Sequence, residues 1–426
     1  MLEETGPDQL PAYMAMLAAH AQAAAQALAT QTSEKKSDAL RQAAKIIAEK
    51  KDEILRINET EVEAAEARGQ QASFVDRMQL TPARITDICE SLKKIADLPD
   101  PVGQVIREWS VQNGLEFQRV STPIGVIAVI YESRPNVTVD AAALAIKSGN
   151  AAILRGGSEC IETAKILHAC FCEGLITADL PAYAAQIVAT ADRDAVGLLL
   201  GGLDNKIDLV IPRGGKSLVA RVQVEARVPV LSHLDGICHV YLDRDADIEK
   251  AVSITLNSKM RRTGVCGAAE TLLIDRERLP EMLPPVAAAL RRAGCELRGD
   301  HAVTEIDPEI AHAIELDWHT EYLEPVLSIA AVEGVVGAIS HIRQFSSGHT
   351  ESIVTENAGT AQKFLDGVDS AIVLHNASTQ FADGGEFGMG AEIGIATGRL
   401  HARGPVGLEE LTTYKTVVRG DGQIRP

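Results

Sequence analysis

The stretch "IGVIAVIYESRPNVTVDAAALAIKSGNAAILRGG", residues 124–157, carries the pattern that decides the fold of this chain. It opens with eight nearly continuous apolar residues, turns into a helical pattern over 139–149, and closes with a second apolar run at 151–155. Short apolar strands that alternate with helices are typical of βαβ units in a parallel sheet. We therefore predict a strand, a crossover helix and a second, parallel strand here.

The same alternation extends toward the C-terminus in two series. The first series predicts strands and helices in turn: helix 159–175, strand 184–189, helix 193–201, strand 207–212 and a helix from about 215. The second begins near 245 and predicts strands at 271–274, 326–331, 351–354 and 370–374. Two such series predict an α/β protein with two doubly wound parallel-sheet domains.

Two further regions lie outside this rhythm. Alternating runs flank Asn113-Gly114 within 105–122, and Asn-Gly is the strongest short hairpin signal. The tail 410–419 also alternates and could return to that hairpin as a third strand. The chain before residue 104 is predicted helical, with Ser37 as the N-cap of one helix.

Composition narrows the class of protein. The 426 residues include 41 basic and 59 acidic side chains, a net charge of −18 that repels phosphate backbones and anionic lipid. No apolar run reaches the length of a membrane span, and the acidic N-terminus does not resemble a targeting peptide. We expect a cytoplasmic protein that binds neither nucleic acid nor membranes, so an anionic ligand needs a local cluster of cations.

Cys266 stands apart from the other six cysteines. It lies between Gly264 and Gly267, just after the basic run "NSKMRR" at 257–262. A free thiol is only a few per cent thiolate at pH 7, so a nucleophilic cysteine needs a cationic setting. Cys266 is therefore a candidate nucleophile. Lys259, Arg261 and Arg262 could alternatively complement the dipole of the preceding helix. No cysteine or histidine spacing predicts a metal site.

Two strand–Gly-Gly–helix turns are candidate phosphate sites. "LRGGSE" spans 154–159 and "VIPRGGKS" spans 210–217, and the second fails as a P-loop because Val210 stands where a glycine is required. Backbone N–H groups at a helix start favour an anion, although tight β–α connections are the alternative. The candidate cofactor-binding residues are Arg155, Gly156, Gly157, Pro212, Arg213, Gly214, Gly215, Lys216 and Ser217.

From about residue 35 onward the chain resembles the gamma-glutamyl phosphate reductase family of the aldehyde dehydrogenase superfamily. The segments that carry the resemblance are 123–159, 211–218, 233–243, 320–323 and 346–415. The resemblance implies an aldehyde dehydrogenase-like fold with a β-hairpin oligomerisation arm, and hence a homo-oligomer. The implied domains are a cofactor-binding domain (1–104, 123–240 and part of 376–403), a catalytic domain (241–375) and the arm (105–122 and 404–426).

The resemblance also implies an activity. Family members reduce L-glutamate 5-phosphate with NADPH to L-glutamate 5-semialdehyde and release phosphate, in the second step of proline biosynthesis. By this resemblance Cys266 forms the thioester, Asn136 completes the oxyanion hole and Glu321 holds the nicotinamide ribose. Arg155 would lie near the 2′-phosphate of NADP. The implied substrate-binding cations are Arg134, Lys259, Arg261 and Arg262. Channelling of the substrate from glutamate 5-kinase is a further hypothesis.

Some positions differ from related patterns. His233-Leu234-Asp235-Gly236 stands where hydrolytic aldehyde dehydrogenases have a general-base glutamate, which fits a thioester shielded from water. Thr263, Gly267 and Gln380 replace the family's usual Pro, Asn and Arg. These three changes keep open an acylating reductase for another acyl phosphate or a thioester. A nucleotide-binding protein without catalysis is the third hypothesis.

Overall fold

The computed structural model describes residues 9–425 of the chain, and helices account for most of its regular structure. Four single-turn 3₁₀ segments accompany the α-helices. The helices are α1 Leu10–Leu28, α2 Ser33–Glu49, α3 Lys51–Ala67, α4 Ala72–Met78, α5 Pro82–Asp97, α6 Pro135–Lys147, α7 Ile161–Thr177, α8 Asp194–Leu200, α9 Lys216–Glu225, α10 Ile248–Met260, α11 Leu279–Arg292, α12 His301–Ile306, α13 Glu315–Trp318, α14 Gly334–Phe345 and α15 Ala358–Gly367.

The strands are short, and they form two large parallel sheets, one antiparallel sheet and one two-stranded pair. The strands are β1 Val105–Ser110, β2 Glu116–Pro123, β3 Val126–Tyr131, β4 Ala151–Arg155, β5 Ala185–Ile187, β6 Leu209–Arg213, β7 Cys238–Leu242, β8 Ala269–Asp275, β9 Glu296–Gly299, β10 Ala311–His312, β11 Val326–Val332, β12 Thr350–Val354, β13 Ile372–His375, β14 Ile395–Ala396, β15 Gly404–Pro405 and β16 Thr412–Arg419. The predicted α/β architecture is therefore confirmed.

The described residues divide into two compact units. The first runs to Ser232 and regains the chain at Gly388–Gly394 and again from Val406. The second comprises His233–Phe387 and Ile395–Pro405. The boundary thus falls after Ser232, whereas the sequence predicted it after residue 240. The assignment of the units to cofactor binding and catalysis remains a prediction at this point.

The first unit is built on a four-stranded parallel sheet in the order β5-β4-β3-β6. All six residues of β3 are buried, because helices cover the sheet and leave no polar face. Helices α1 and α6 both pack on β4. The strand–helix–strand predicted over 124–157 is confirmed as β3, α6 and β4.

One predicted helix start was wrong. Helix α2 begins at Ser33, and its N-cap is Thr32, whose side chain accepts a hydrogen bond from the Lys35 N–H. Ser37 lies inside the helix, buried, and its hydroxyl donates to the Ala96 carbonyl at 2.8 Å. The hydroxyl serves a tertiary contact, which a local capping pattern cannot reveal.

Strands β1 and β2 form the predicted hairpin, and β16 joins them in an antiparallel sheet. Gly114 takes the positive φ of 83° that the turn requires. Strand β16 pairs with β2 along eight residues, from Thr412 opposite Pro123 to Arg419 opposite Glu116. The return of the tail to the hairpin is therefore confirmed, while a role in oligomerisation stays a prediction.

The second unit is built on a seven-stranded parallel sheet in the order β10-β9-β11-β8-β7-β12-β13. Helices α10 and α11 contribute to the core on one face, with Leu283 and Leu290 fully buried. Helices α14 and α15 contribute to the other core cluster, around Tyr241 and Phe364. The four predicted strands are confirmed, and β7, β9 and β10 were missed.

Among residues 9–425, no helix combines the length and the apolar character needed to cross a membrane.

Candidate active site

In the first unit, the two Gly-Gly turns meet at the carboxyl end of strand β3. An added Cβ on Gly156 would lie 3.0 Å from the Tyr131 ring, and one on Gly157 would lie 2.9 Å from the Ser133 backbone nitrogen. A Cβ on Gly214, in the other turn, would lie 2.8 Å from the Glu132 side chain. The structure thus brings both predicted turns to one strand end, where a Cβ at Gly156, Gly157 or Gly214 would crowd the residues that follow or end β3.

This strand end lies at the topological switch point of the sheet. The chain runs from β3 through β4 to β5 on one side, and then crosses to β6 on the other side of β3. Open parallel sheets bind ligands in the crevice outside such carboxyl ends. Residues Gly215, Lys216 and Ser217 are exposed there at the start of α9, a setting that suits a phosphate. The residues present therefore fit a dinucleotide cofactor.

Glu132 also contacts this turn. Its carboxylate accepts a hydrogen bond from the Gly215 N–H at 2.7 Å, and its own N–H donates to the Arg213 carbonyl at 3.1 Å. A carboxylate at a helix N-terminus is stabilised by the helix dipole, as a phosphate would be. Sequence reasoning missed Glu132, which follows β3 directly and could have been found from that position.

Arg155 is buried, with 8% of its surface exposed. Its guanidinium donates to the carbonyl of Gly156 and, at 3.2 Å, to the carbonyl of Ala191. Burial lowers the pKa of this guanidinium from its usual value. The side chain therefore braces the β4 turn, and a further role toward a 2′-phosphate remains a prediction.

Arg134 and Asn136 stand at the start of helix α6. Arg134 is the N-cap residue, and the exposed Asn136 donates a hydrogen bond from Nδ2 to the Asp140 carboxylate at 3.1 Å. Both belong to the first unit, whereas Cys266 belongs to the second. Their predicted roles toward the substrate and the oxyanion stay predictions.

In the second unit, Cys266 lies in the loop between α10 and β8, before the amino end of that strand. Gly236, which precedes β7, packs directly on it: an added Cβ would overlap the Cys266 carbonyl oxygen and lie 2.7 Å from its Cα. The Cys238 thiol donates to that same carbonyl at 3.1 Å. The backbone carrying the thiol is thus held from one side by the segment 236–238.

Cys266 differs from the other cysteines in its surroundings. All seven are free thiols within the described chain, and only Cys172 and Cys266 are partly exposed. Burial raises the pKa of the other six thiols, to about 12 for Cys172. These six thiols are therefore poor candidates for a nucleophile, and the role of Cys266 stays a prediction.

The three cations before Cys266 have different surroundings. Lys259 is fully buried, and its ammonium forms an ion pair with the Glu270 carboxylate. Burial raises the pKa of Glu270 to about 7, although the lysine opposes that shift. Arg261 and Arg262 are exposed at the end of α10. Only the two arginines have the exposure that a substrate phosphate requires.

Gln380, one of the departures from the family pattern, holds this basic segment. Its side-chain amide donates to the carbonyls of Ser258 at 2.9 Å and Arg262 at 3.2 Å. Its oxygen accepts from the Arg261 guanidinium at 3.4 Å. Gln380 therefore positions the arginines by hydrogen bonds.

The departure at Gly267 has a local structural account. Gly267 is buried, and an added Cβ would lie 3.0 Å from the Thr379 carbonyl and 3.3 Å from the Ala382 Cβ. A larger residue would have to push these neighbours away. No described contact accounts for Thr263.

Glu321 is linked to the same loop. Its carboxylate accepts a hydrogen bond from the Gly236 N–H at 2.9 Å, and Gly236 packs on Cys266. Two residues later, Leu323 adopts a positive φ of 55°, which is uncommon for a branched side chain. Such strain is held where surrounding structure requires it, here next to the candidate site.

Two histidines that sequence reasoning did not assign also lie here. The rings of His233 and His349 pack edge to face with centroids 5.1 Å apart. His233 Nδ1 lies 2.7 Å from the Ile395 carbonyl. A ring nitrogen of each lies within 4.8 Å of the other and of the Cys266 sulfur. His349 directly precedes β12 and His233 lies in the segment that leads into β7, so their positions could have indicated this end of the sheet had β7 been predicted.

Comparison with known proteins shows the family to which this chain belongs. Residues 11–313 match the model of the aldehyde dehydrogenase family. A gamma-glutamyl phosphate reductase of Brucella suis is 57% identical over 412 residues, covering 97% of this chain and 98% of that protein. The chain belongs to the gamma-glutamyl phosphate reductase family. The family resemblance read from the sequence is therefore confirmed.

Two further gamma-glutamyl phosphate reductases are similar to this chain and support the family assignment. A gamma-glutamyl phosphate reductase of Allorhizobium ampelinum is 53% identical over 419 residues, covering 98% of each chain. The crystal structure of the Thermotoga maritima gamma-glutamyl phosphate reductase superposes with a TM-score of 0.95 at 44% identity, covering 97% of this chain and 100% of that one. The aldehyde dehydrogenase-like fold is thus confirmed.

Proposed function

We propose that this chain reduces L-glutamate 5-phosphate to L-glutamate 5-semialdehyde with NADPH and releases phosphate. The observation that carries the proposal is the near full-length identity, 53–57%, to relatives named gamma-glutamyl phosphate reductase. The position of Cys266 supports it, because this thiol is partly exposed and follows a cationic segment. The activity belongs to proline biosynthesis.

The thiol chemistry follows from Cys266 and its neighbours. The Cys266 thiolate attacks the acyl carbon, a carbon–sulfur bond forms, and the bond to the phosphate oxygen breaks to leave a thioester. Arg261 and Arg262 are the exposed cations that would accept the departing phosphate charge. The nicotinamide, when bound, would supply the hydride that reduces the thioester carbonyl carbon. The carbon–sulfur bond to Cys266 then breaks, which releases the aldehyde and returns the thiolate.

Two donors would stabilise the oxyanion of each tetrahedral adduct. These are the Asn136 side-chain amide and the Cys266 backbone N–H, and loss of one such donor costs about 3 kcal/mol of barrier. At position 233 a histidine replaces the general-base glutamate of hydrolytic relatives. The proposal is that the thioester is reduced by hydride and not hydrolysed.

The proposal places the cofactor at the carboxyl end of β3. The exposed start of α9 would bind a cofactor phosphate through the backbone N–H groups of Lys216 and Ser217, beside Gly156 and Gly157, while Glu132 holds the Gly215 N–H. Glu321, already fixed by the Gly236 N–H, would hold the nicotinamide ribose. Preference for NADP over NAD rests on Arg155 and the family, and the ratio of kcat/KM for the two cofactors tests it.

The decisive experiment runs the reaction backward. Purified protein is given glutamate 5-semialdehyde and NADP⁺, with and without inorganic phosphate, and NADPH formation is followed by absorbance. We expect phosphate-dependent turnover that disappears in Cys266→Ala while the circular dichroism and melting temperature stay unchanged. Turnover that persists in Cys266→Ala, or that needs no phosphate, contradicts the proposal.

The same assay examines an acylating reductase for a thioester, which the changes at Thr263, Gly267 and Gln380 left open. Coenzyme A replaces phosphate as the acceptor. A rate with coenzyme A above the rate with phosphate would favour that alternative. Cofactor binding without a thioester detectable by intact-mass spectrometry would favour a noncatalytic protein.

We further propose that the chain is a cytoplasmic homo-oligomer joined through the sheet of β1, β2 and β16. Both outer strands of this sheet expose apolar side chains, including Ile106 at 59% and Tyr414 at 52%. Exposed apolar groups on an edge strand favour pairing with a second copy. Seven free thiols fit a reducing compartment. Light scattering compares the molar mass of the particle in Ile106→Lys and in wild type, and a smaller mass in the variant supports the interface. Channelling of the substrate from glutamate 5-kinase is tested by co-elution of the two proteins.

A further inference from the structure

In the second unit, one thiol and two imidazoles lie close together at the amino ends of strands β7, β8 and β12. A ring nitrogen of His233, the sulfur of Cys266 and a ring nitrogen of His349 all lie within 4.8 Å of one another. The proposed reaction uses only the thiol. We propose that these three side chains form a reversible inhibitory Zn²⁺ site, with water as the fourth ligand.

The ligand types and their number suit this ion. Zinc prefers thiolate sulfur and imidazole nitrogen in a tetrahedral arrangement, with Zn–S near 2.3 Å and Zn–N near 2.0–2.1 Å. Such bonds place the ligand atoms roughly 3.5 Å apart, so the three groups need to close by only about 1 Å. Small side-chain rotations achieve this, because His233 and Cys266 are only partly buried.

Each histidine is already oriented through its second ring nitrogen. His233 Nδ1 lies 2.7 Å from the Ile395 carbonyl, which can only accept, so Nδ1 carries the proton in the neutral ring. His349 Nδ1 lies 2.8 Å from the Thr350 hydroxyl. Metal-binding histidines are typically held in this way, by a hydrogen bond from the nitrogen that does not bind the metal.

His349 supplies an independent indication of a ligand. The side chain is fully buried, with 0% exposure, and its Nε2 has no hydrogen-bond partner within residues 9–425. A buried polar atom without a partner costs free energy, so such atoms call for an explanation. Coordination by Nε2 would satisfy it while Nδ1 donates to Thr350.

Cys238 is the nearby sulfur that could compete with Cys266. Its thiol is fully buried and directed at the Cys266 carbonyl, 3.1 Å away, and it lies 3.6 Å from His349 Nδ1, the nitrogen opposite the proposed ligand atom. Cys266 is the partly exposed thiol and is therefore assigned as the ligand.

Binding is an exchange of a proton for the metal. The Cys266 S–H bond breaks, the sulfur keeps both electrons and bonds Zn²⁺, and the proton goes to solvent. The sulfur is then no longer available as a nucleophile. The metal therefore blocks the thiol, and a chelator restores it.

The first test measures binding and does not depend on the proposed function. The reduced full-length protein is titrated with Co²⁺ as a spectroscopic stand-in, followed by displacement with Zn²⁺. We expect one ion per chain, a thiolate-to-cobalt charge-transfer band and tetrahedral d–d absorption. Cys266→Ser removes the charge-transfer band. His233→Ala and His349→Ala each weaken binding by about 100-fold or more.

Matched variants control for folding and for other ligands. His312→Ala changes an exposed histidine of the same unit and should leave the titration unchanged, while Cys238→Ser should keep the charge-transfer band. Circular dichroism verifies that each variant folds. Loss of the band in Cys238→Ser, or unchanged affinity in folded His349→Ala, would overturn the proposed ligand set.

The second test measures protection and inhibition. Zn²⁺ should slow alkylation of Cys266 by iodoacetamide, read by peptide mass spectrometry, and should suppress the reductase rate until EDTA is added. This arm rests on the proposed function, but the spectroscopic arm stands if the protein has no such activity. Inhibition that is as strong in His349→Ala as in wild type would mean a thiol-only effect and refute the site.

Discussion

Each unit contains a parallel sheet packed against helices, but the functional residues lie at opposite ends of the strands. They lie at the carboxyl ends in the first unit (the carboxyl edge) and at the amino ends in the second (the amino edge). In the first unit, Gly157 and Gly214 follow the carboxyl ends of β4 and β6. In the second, Gly236, Cys266 and His349 precede the amino ends of β7, β8 and β12. A strand's carboxyl end leads into the N-terminus of a helix, whereas its amino end follows a helix C-terminus.

That difference sets the electrostatics of each edge. Helix N-termini carry partial positive charge and exposed N–H groups, which suit the phosphates of a cofactor. Helix C-termini carry partial negative charge, which disfavours a thiolate. The Cys266 loop follows the C-terminus of α10, so cationic side chains must supply the positive potential that the helix lacks. This explains why Arg261 and Arg262 cluster there.

The largest effect is expected at the buried ion pair of the second unit. Lys259→Met leaves the Glu270 carboxylate buried without its partner, and breaking such a pair costs about 3–5 kcal/mol in free energy of unfolding. Urea unfolding followed by circular dichroism measures it. The double change Lys259→Met with Glu270→Leu should recover most of the loss.

The matched pair in the first unit is Lys165 with Glu162, which is exposed on helix α7. Lys165→Met should cost under about 1 kcal/mol, because exposed pairs contribute little. Equal losses for Lys165→Met and Lys259→Met would contradict the difference in burial on which this expectation depends.

Gly236→Ala should change the structure only at the amino edge of the second unit, where Cys266 lies. The added methyl overlaps the Cys266 carbonyl oxygen, so the thiol must shift, and a displacement of about 1 Å can lower kcat about 100-fold. The KM for the cofactor should rise as well, because the Gly236 N–H holds Glu321, the proposed ribose-binding residue. Steady-state kinetics in both substrates measures the two constants, and an unchanged kcat would show that this packing does not position the thiol.

Acid should affect the two units to different extents through a partly buried histidine in each. Burial lowers the pKa of His341 to about 3, and its Nε2 has no partner among the described residues. Burial also lowers the pKa of His168 in the first unit, but the hydrogen bond to the Ala185 carbonyl opposes that shift. A folded-state pKa below the unfolded one means that stability is lost as pH falls below about 6.5.

Near pH 5 the His341 contribution amounts to about 2 kcal/mol of unfolding free energy relative to neutral pH. His341→Phe, which can pack with Trp318 and Phe345, should remove this part of the pH dependence. Unfolding curves at several pH values compare it with wild type. A slope that is identical in the two proteins would rule out His341 as its source.

Gly157→Ala should give the smallest effect, confined to the carboxyl edge. The methyl meets the Ser133 hydroxyl and backbone nitrogen, so the turn beside the proposed cofactor site is displaced. We expect the KM for NADPH to rise about 10-fold, with kcat changed less. If kcat falls as far as in Gly236→Ala, the two edges do not have the separate roles assigned to them.

Much of this architecture could be predicted from the sequence. The continuous apolar runs of β3 and β4 are buried on both faces and leave an unambiguous signal. Strand β7 was missed because its residues Cys238 to Leu242 include the polar side chains of His239 and Tyr241, which are buried beside hydrogen-bond partners on other strands, Glu351 and Asp275. Glu351 lies on β12, 112 residues further along the chain, and Asp275 ends β8, so neither partner is part of a local pattern.

The candidate site was only partly predictable for a similar reason. Cys266 could be recognised because its glycines and cations adjoin it in the sequence. The burial of Lys259 against Glu270 and the support given by Gln380 could not, since both depend on tertiary packing. The contact between His233 and His349 joins segments that lead into the neighbouring strands β7 and β12. Because β8 and β11 lie between these segments in the sequence, no local pattern predicts the contact.

The pairing of β16 with β2 has a consequence for synthesis on the ribosome. The last segments of the first unit, Gly388–Gly394 and the chain from Val406 onward, are synthesised after most of the second unit. The Asn150 side-chain amide donates to the Leu411 carbonyl at 2.8 Å, so it has no such partner until then. Until residues 412–419 emerge, one edge of β2 has no partner strand. During translation the nascent first unit must therefore pass through an incomplete state, exposed to chaperones and to premature pairing with neighbouring chains.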